Sequence, residues 1–386
     1  VREPVFSAMR MRRVSAWLGC ALLVAHCKPS LRDPHWQPRP TERMIQWFRS
    51  LNYQGFRGTT PYELGYPEWY ISRNVPKPAM THEAVQLGRF LFYDTALSSD
   101  GTVSCSSCHQ QKYSFSDNRR FSIGVKGRVG KRNSMHLLNL VMDRRFFWDG
   151  RAASLEEQVL MPITDENEMD LPLEELIARL KQHPIYPALF ERAYGSRDID
   201  TARIADALAQ FVKSIVSYST ADDYLRAYED GRLAWEKIPA NVRKLWPVYQ
   251  KNVTVMNCGP CHTLAMEHGQ NMFDDVGLEA DPKDVGYYTV TGNALDKGKF
   301  KTPSIRNLQV TAPYMHDGRF DTFEAVLEHY RKGMVRKSNI SPFYLDSQNR
   351  IRSETLTEEQ VKIILNGLQL NYDEKVLTDP KYSNPF

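Results

Sequence analysis

Two short stretches carry residues whose types and spacing can do chemistry: Cys105-Ser106-Ser107-Cys108-His109 and Cys258-Gly259-Pro260-Cys261-His262. Two thiols three positions apart, followed at once by an imidazole, form the pattern that attaches a c-type haem. The sulfurs add across the porphyrin vinyl groups and the histidine ligates the iron. A zinc ribbon would use the same four thiols, but it has no need of a histidine directly after each second cysteine. The two stretches also account for every cysteine beyond the first 30 residues. The expectation is two covalent haems, one held by Cys105, Cys108 and His109, the other by Cys258, Cys261 and His262.

The elements that must position these motifs belong to a chain of 386 residues, longer than one core usually supports. An apolar content of 42% is ample for burial, and a net charge of +4 without basic, aromatic-interleaved stretches speaks against nucleic acid as a partner. Met9 to Arg13 precede an apolar run from Val14 to Ala25, too short to span a bilayer and typical of the start of a secretory signal. Export to the periplasm is expected, where c-type haem is attached in bacteria, with possible membrane anchoring through this leader. Cys27 is poorly placed for lipidation, since His26 stands where processing prefers a small residue.

The expected organisation is a leader over residues 1–27, an extended arm rich in Pro, Arg and aromatics over 28–80, a first haem domain over 81–220, a second over 221–345, and a closing helix with a tail over 346–386. Helical spacing begins at Ala84, Leu87, Leu91 and Phe92 behind the N-terminal signal Thr81-His82-Glu83-Ala84. Further helices are expected over 155–160, 171–180 and 202–216, and over 357–370 behind the capping box Thr357-Glu358-Glu359-Gln360. No alternating strand pattern competes, so the fold class is mostly α.

The sequence resembles the bacterial di-haem cytochrome c peroxidase and MauG family from Thr81 to about Tyr372. The resemblance rests on Leu87-Gly88-Arg89-Phe90-Leu91-Phe92-Tyr93-Asp94, Arg132-Asn133-Ser134-Met135, Phe147-Trp148-Asp149-Gly150-Arg151-Ala152, Thr302-Pro303-Ser304-Ile305-Arg306-Asn307 and Thr311-Ala312-Pro313-Tyr314-Met315-His316-Asp317-Gly318. It implies two cytochrome c-like helical domains, a peroxidatic N-terminal haem, an electron-transfer C-terminal haem and one calcium ion between them.

Splitting the O–O bond of hydrogen peroxide needs an open iron position, a base that moves a proton from the near to the far oxygen, and donors that steady the departing hydroxide. The resemblance implies Glu168 as that acid-base residue and Gln158 as its polar neighbour, with Pro162 shaping the loop between them. By residue type alone, Asp165 and Glu166 compete equally. Some family members cap the first iron with a histidine from the following loop. Here the corresponding place is Val125, and the first haem is expected to stay open, with His136 as an alternative cap. Trp148 is expected to bridge the haems or to pack their interface.

At the second haem, the helix Thr322 to Tyr330 puts Tyr330 where the peroxidases carry an axial methionine, and this resembles MauG. A phenolate lowers the iron potential relative to a thioether. Met334, His329 and Met315 remain alternatives. The resemblance further implies calcium bound by the side chain of Asn133 and the carbonyls of Thr311 and Pro313, an all-oxygen set. Arg306 is open between a haem propionate and a structural ion pair. The favoured function is peroxide-driven oxidation of a residue on a docked partner protein. One alternative is a cytochrome c peroxidase fed by a small cytochrome c or cupredoxin, and another is a non-enzymatic di-haem electron carrier.

Overall fold

The helices His82–Tyr93 and Thr201–Ser214 lie along each other at the centre of the first core. Each begins on a side-chain cap: Thr81 Oγ1 accepts from the Ala84 N–H at 3.2 Å and an Asp200 carboxylate oxygen from the Arg203 N–H at 2.8 Å. Their approach requires Gly88, because a Cβ there would stand 1.9 Å from the Ala207 carbonyl oxygen. Leu87, Phe90, Leu91, Ile204, Leu208 and Phe211 are buried between and around them. Each such side chain contributes roughly 1.5–3 kcal/mol on burial. The computed structural model describes residues 41–71, 76–255, 259–262, 272–337, 339–341, 344–348, 350–351 and 356–386.

The fold is mostly α, as expected, with differences at the element ends. The helix expected over 171–180 is Leu173–Gln182, with Pro172 as its N-cap. That expected over 155–160 is the single turn Leu155–Gln158, followed by a second turn, Met161–Thr164, with Pro162 as its second residue. The arm is not wholly extended: Thr41 caps a helix, Glu42–Ser50, whose Trp47 ring lies 4.5 Å from that of Phe90. The chain beyond Asp379, which offered no signal, also has a structural place. Tyr382 is 2% exposed within the first core, donates to the Ser214 carbonyl at 2.7 Å and accepts from the Val216 N–H at 3.2 Å.

A second apolar cluster gathers Leu225, Ile238, Val242 and Tyr249 with Leu370, under the helices Ala221–Glu229 and Trp246–Val255. The closing helix runs Glu358–Gly367 on the capping box of Thr357 and Gln360, then tightens into a 3₁₀ turn, Leu368–Asn371. Among the described residues the only paired strands are Phe273–Asp274 and Phe300–Lys301, antiparallel. No described helix is long and apolar enough to cross a membrane. The leader, including Cys27, lies outside the described residues.

Candidate functional site: two imidazoles, a half-buried acid and a shared cavity wall

Cys105–Cys108 forms one helical turn, started by Ser104, whose N–H donates to Ser107 Oγ at 3.0 Å. His109 follows as its C-cap. Its Nδ1 lies 2.8 Å from the Phe115 carbonyl oxygen, which can only accept, so Nδ1 carries the proton and Nε2 keeps its lone pair for a metal. The turn that presents this carbonyl is held from the far half of the chain, where Asn307 Nδ2 donates to Ser114 Oγ at 2.8 Å. Burial above all pushes the Cys105 thiol up to about 12 and the Cys108 thiol up to about 11, and the nearby Glu168 acts in the same direction within those shifts. Two thiols beside an imidazole with a free nitrogen fit covalent haem attachment.

Glu168 is set apart from its competitors by position. Asp165 and Glu166 are exposed, whereas Glu168 is pushed up to about 7, by burial first and then by Asp165, against the opposing charge of Arg151. Its carbonyl accepts from the Val125 N–H at 2.8 Å, and Val125 itself is fully buried. Val125, expected at the place of the capping histidine, is thus an apolar side chain whose backbone is tied to the Glu168 loop. Gln158 ends the Leu155–Gln158 turn, capped by Ser154, and the Met161–Thr164 turn separates it from Glu168. His136 is not a cap for the first motif. Its Nδ1 accepts from the Leu138 N–H at 3.2 Å, its Nε2 faces the Ser304 carbonyl at 3.2 Å, and it lines the cavity of the second motif.

That cavity brings together His262, Trp148, Asn133, Thr311, Pro313 and Tyr330. His262 repeats the device of His109: Nδ1 donates to the Pro303 carbonyl at 2.8 Å and leaves Nε2 free. Cys261 is buried beside it, while Cys258 lies outside the described residues. Apolar walls from Leu327, Phe323 and Ile364, with an imidazole whose tautomer is fixed, fit a haem.

Of the candidates for its other axial side, Tyr330 and Met315 line the cavity. His329 does not, and its Nε2 donates to the Val276 carbonyl at 2.8 Å. Met334 instead packs with Ile340 and Ile351. The expected helix through Tyr330 stops at Glu328 and widens into a π-turn, His329–Gly333, a local geometry frequent at functional sites.

Trp148 joins the two halves. Its Nε1 donates to the Asn133 carbonyl at 2.8 Å, and its own carbonyl accepts from the Lys301 N–H at 2.7 Å. Arg132 reaches across as well, to Asp284 through two bonds of 2.7 and 2.8 Å, and is held on its own side by Asp149 at 2.6 Å. Asn133 Nδ2 is used on the Arg119 and Arg120 carbonyls at 3.1 and 3.3 Å, so its oxygen is the end that fits a cation. Among the described residues no cluster of three His, Cys, Asp or Glu makes a metal site, so an oxygen-rich ion here would depend on amide and carbonyl oxygens. Arg306 pairs with Asp223 through both its terminal nitrogens, with 7% and 6% of the two side chains exposed, and this is a structural ion pair. Sequence reasoning missed Tyr344, a second phenol in the wall of the second cavity, which no spacing marks.

The family described as di-haem cytochrome c peroxidase matches residues 82–230. The chain is 33% identical over 319 residues to the methylamine utilization protein MauG of Methylorubrum extorquens, spanning 76% of this chain and 85% of that one. It is 30% identical over 318 residues to the cytochrome c peroxidase Ccp of Escherichia coli, spanning 78% and 65% of the two. Among solved structures, a MauG-like protein associated with microbial copper homeostasis is similar at a TM-score of 0.69 and 27% identity, over 84% of this chain and 99% of that one. The di-haem peroxidase BthA of Burkholderia thailandensis shares the fold, at a TM-score of 0.61 and 19% identity, over 86% and 95% of the chains.

Proposed function

This chain belongs to the di-haem cytochrome c peroxidase and MauG family, and from that membership we propose that it uses hydrogen peroxide to oxidise a residue of a partner protein docked at its surface. The family's haems supply the iron that takes oxidising equivalents from peroxide, and they would be held here by Cys105, Cys108 and His109, and by Cys258, Cys261 and His262. The two haem domains are residues 81–220 and 221–345, and the working compartment is the periplasm.

Glu168 moves the peroxide proton from one oxygen to the other. A half-buried carboxyl near 7 can both accept and return a proton at neutral pH. Gln158 orients the oxygen that departs. Val125 keeps the space over the first motif free of a competing nitrogen ligand. Trp148, bonded to both halves, is the relay between them. Calcium between the halves would take oxygens from Asn133, Thr311 and Pro313 and steady the same interface.

The observation that carries the MauG-like reading is the presence of Tyr330 in the same cavity wall as His262, with His329 and Met334 turned to other partners. A specific observation favours a second reading: Met315 also lines that cavity. A thioether there would suit a cytochrome c peroxidase that draws electrons from a small cytochrome c or cupredoxin.

Low-temperature EPR with near-infrared magnetic circular dichroism on the diferric protein separates the two. High-spin and low-spin signals without a sulfur charge-transfer band, altered in Tyr330→Phe, are expected. A sulfur band that survives Tyr330→Phe and disappears in Met315→Leu would transfer the assignment to the peroxidase reading, as would steady turnover of reduced cytochrome c with peroxide.

A further inference from the structure

We infer that Asp170 is a positioning residue for Glu168, its carboxylate clamping the loop after the first haem motif onto the loop that bears the acid. This rests on the reading of Glu168 as the group that moves the peroxide proton. Two contacts follow one another across the seam. The Val125 N–H donates to the Glu168 carbonyl at 2.8 Å, and the next residue, Lys126, reaches the Asp170 carboxylate with its Nζ at 2.7 Å. A nitrogen of Arg128 lies 3.2 Å from the same Asp170 oxygen and also bonds the Glu166 carbonyl. One carboxylate thus holds two cations of the facing loop.

The backbone shows that these side chains are kept for their contacts. Lys126 has a φ of 58° and Asp170 a φ of 52°, the left-handed region that favours glycine. Glycine at either place would relieve the backbone but leave no charge to clamp with. Two such residues joined in one ion pair beside a proton-transfer group fit local strain held for function. The clamp acts by keeping water from Glu168, which is only half-buried. Its carboxyl is pushed up to about 7 by burial first and then by Asp165, against Arg151. The Cys105 and Cys108 sulfurs nearby carry no charge, either as thiols held far above neutrality or as thioethers of a haem. On the other loop, the Lys126 N–H also donates to Asp100 at 3.3 Å. Loosening the seam admits water to Glu168, and its carboxyl then falls toward the ordinary value of about 4.3. The side chains of the clamp are between 29 and 35% exposed, so salt screens them.

The test uses the purified di-haem protein, comparing wild type with Asp170→Asn, Asp170→Gly and Glu168→Gln. Stopped-flow rate constants for reaction with peroxide are taken across pH, and hydrogen–deuterium exchange is followed over residues 122–130 and 165–170. Both Asp170 variants are expected to exchange faster in the two loops. Their rate profiles should move in midpoint from about 7 toward about 4.3, so that they react faster than wild type at about pH 5 and slower at about pH 8. A gain at acid pH cannot come from damage to the fold alone. High salt should move the wild-type profile the same way and leave both variants in place. Unchanged exchange or an unmoved profile in the Asp170 variants, with Glu168→Gln slowed, would overturn the role of Asp170 alone. A Glu168→Gln variant that keeps the wild-type rate and profile would overturn the acid-base assignment and this inference together.

Discussion

The backbone N–H of Val125 donates to the carbonyl of Glu168 at 2.8 Å, so the loop after the first haem motif is tied to the loop bearing the half-buried acid. A Cβ on Gly124, directly before Val125, would stand 2.1 Å from the Asn167 carbonyl oxygen. Gly124→Ala must push the loops apart. Overpacking of this kind costs about 1–3 kcal/mol. Thermal unfolding should report that loss, and stopped-flow mixing with peroxide should show a slower first-haem reaction than in wild type.

The acid itself gives a pH signature. Burial raises the Glu168 carboxyl to about 7, so below that pH it is protonated and cannot accept the peroxide proton. The rate constant for reaction with peroxide should climb as pH rises toward 7 and level off above it. Glu168→Gln should lower that rate by about 10²–10⁴-fold and flatten the profile, with both haems still attached. Kinetics in the glutamine variant that follow the wild-type curve would remove Glu168 from the mechanism.

The Arg306–Asp223 pair predicts a stability effect without a haem effect. Both side chains are buried and mutually bonded. Asp223→Ala leaves an uncompensated guanidinium, at a cost of about 3–5 kcal/mol. Urea titration should register it while the haem absorption bands stay in place. A shifted haem spectrum in that variant would instead point to an arginine engaged with the cofactor.

Tyr382→Ala should unsettle the first core from a distance. The ring is 2% exposed, and its hydroxyl serves both the Ser214 carbonyl and the Val216 N–H. Removing a buried aromatic costs about 3–5 kcal/mol. The loss should appear as a lower melting temperature, and Tyr382→Phe, which spares the ring, should recover most of it.

Local signals were legible in the sequence. Thr81 and Thr357 cap the helices they precede, and the mostly α class follows from spacing that one turn of chain can display. The proximal histidines were equally legible, because thiols and imidazole are adjacent in the chain. What fixes their tautomers was not, since for His262 the acceptor is the carbonyl of Pro303, 41 positions away. Residue type could not choose Glu168 over Asp165 and Glu166. Burial chooses, and burial depends on the loop around Val125. The arm helix was hidden among Pro, Arg and aromatics, and Tyr344 became visible only when folding brought it to Tyr330.

The place of Tyr382 also makes the chain's last residues part of its first core. The Ser214 carbonyl and the Val216 N–H find their hydroxyl partner 168 and 166 positions later, and Tyr93 donates to the Tyr382 carbonyl across 289. A cut in the chain just before residue 382 would leave those groups unpaired beside the central helix pair, so C-terminal truncation is expected to act as a core mutation.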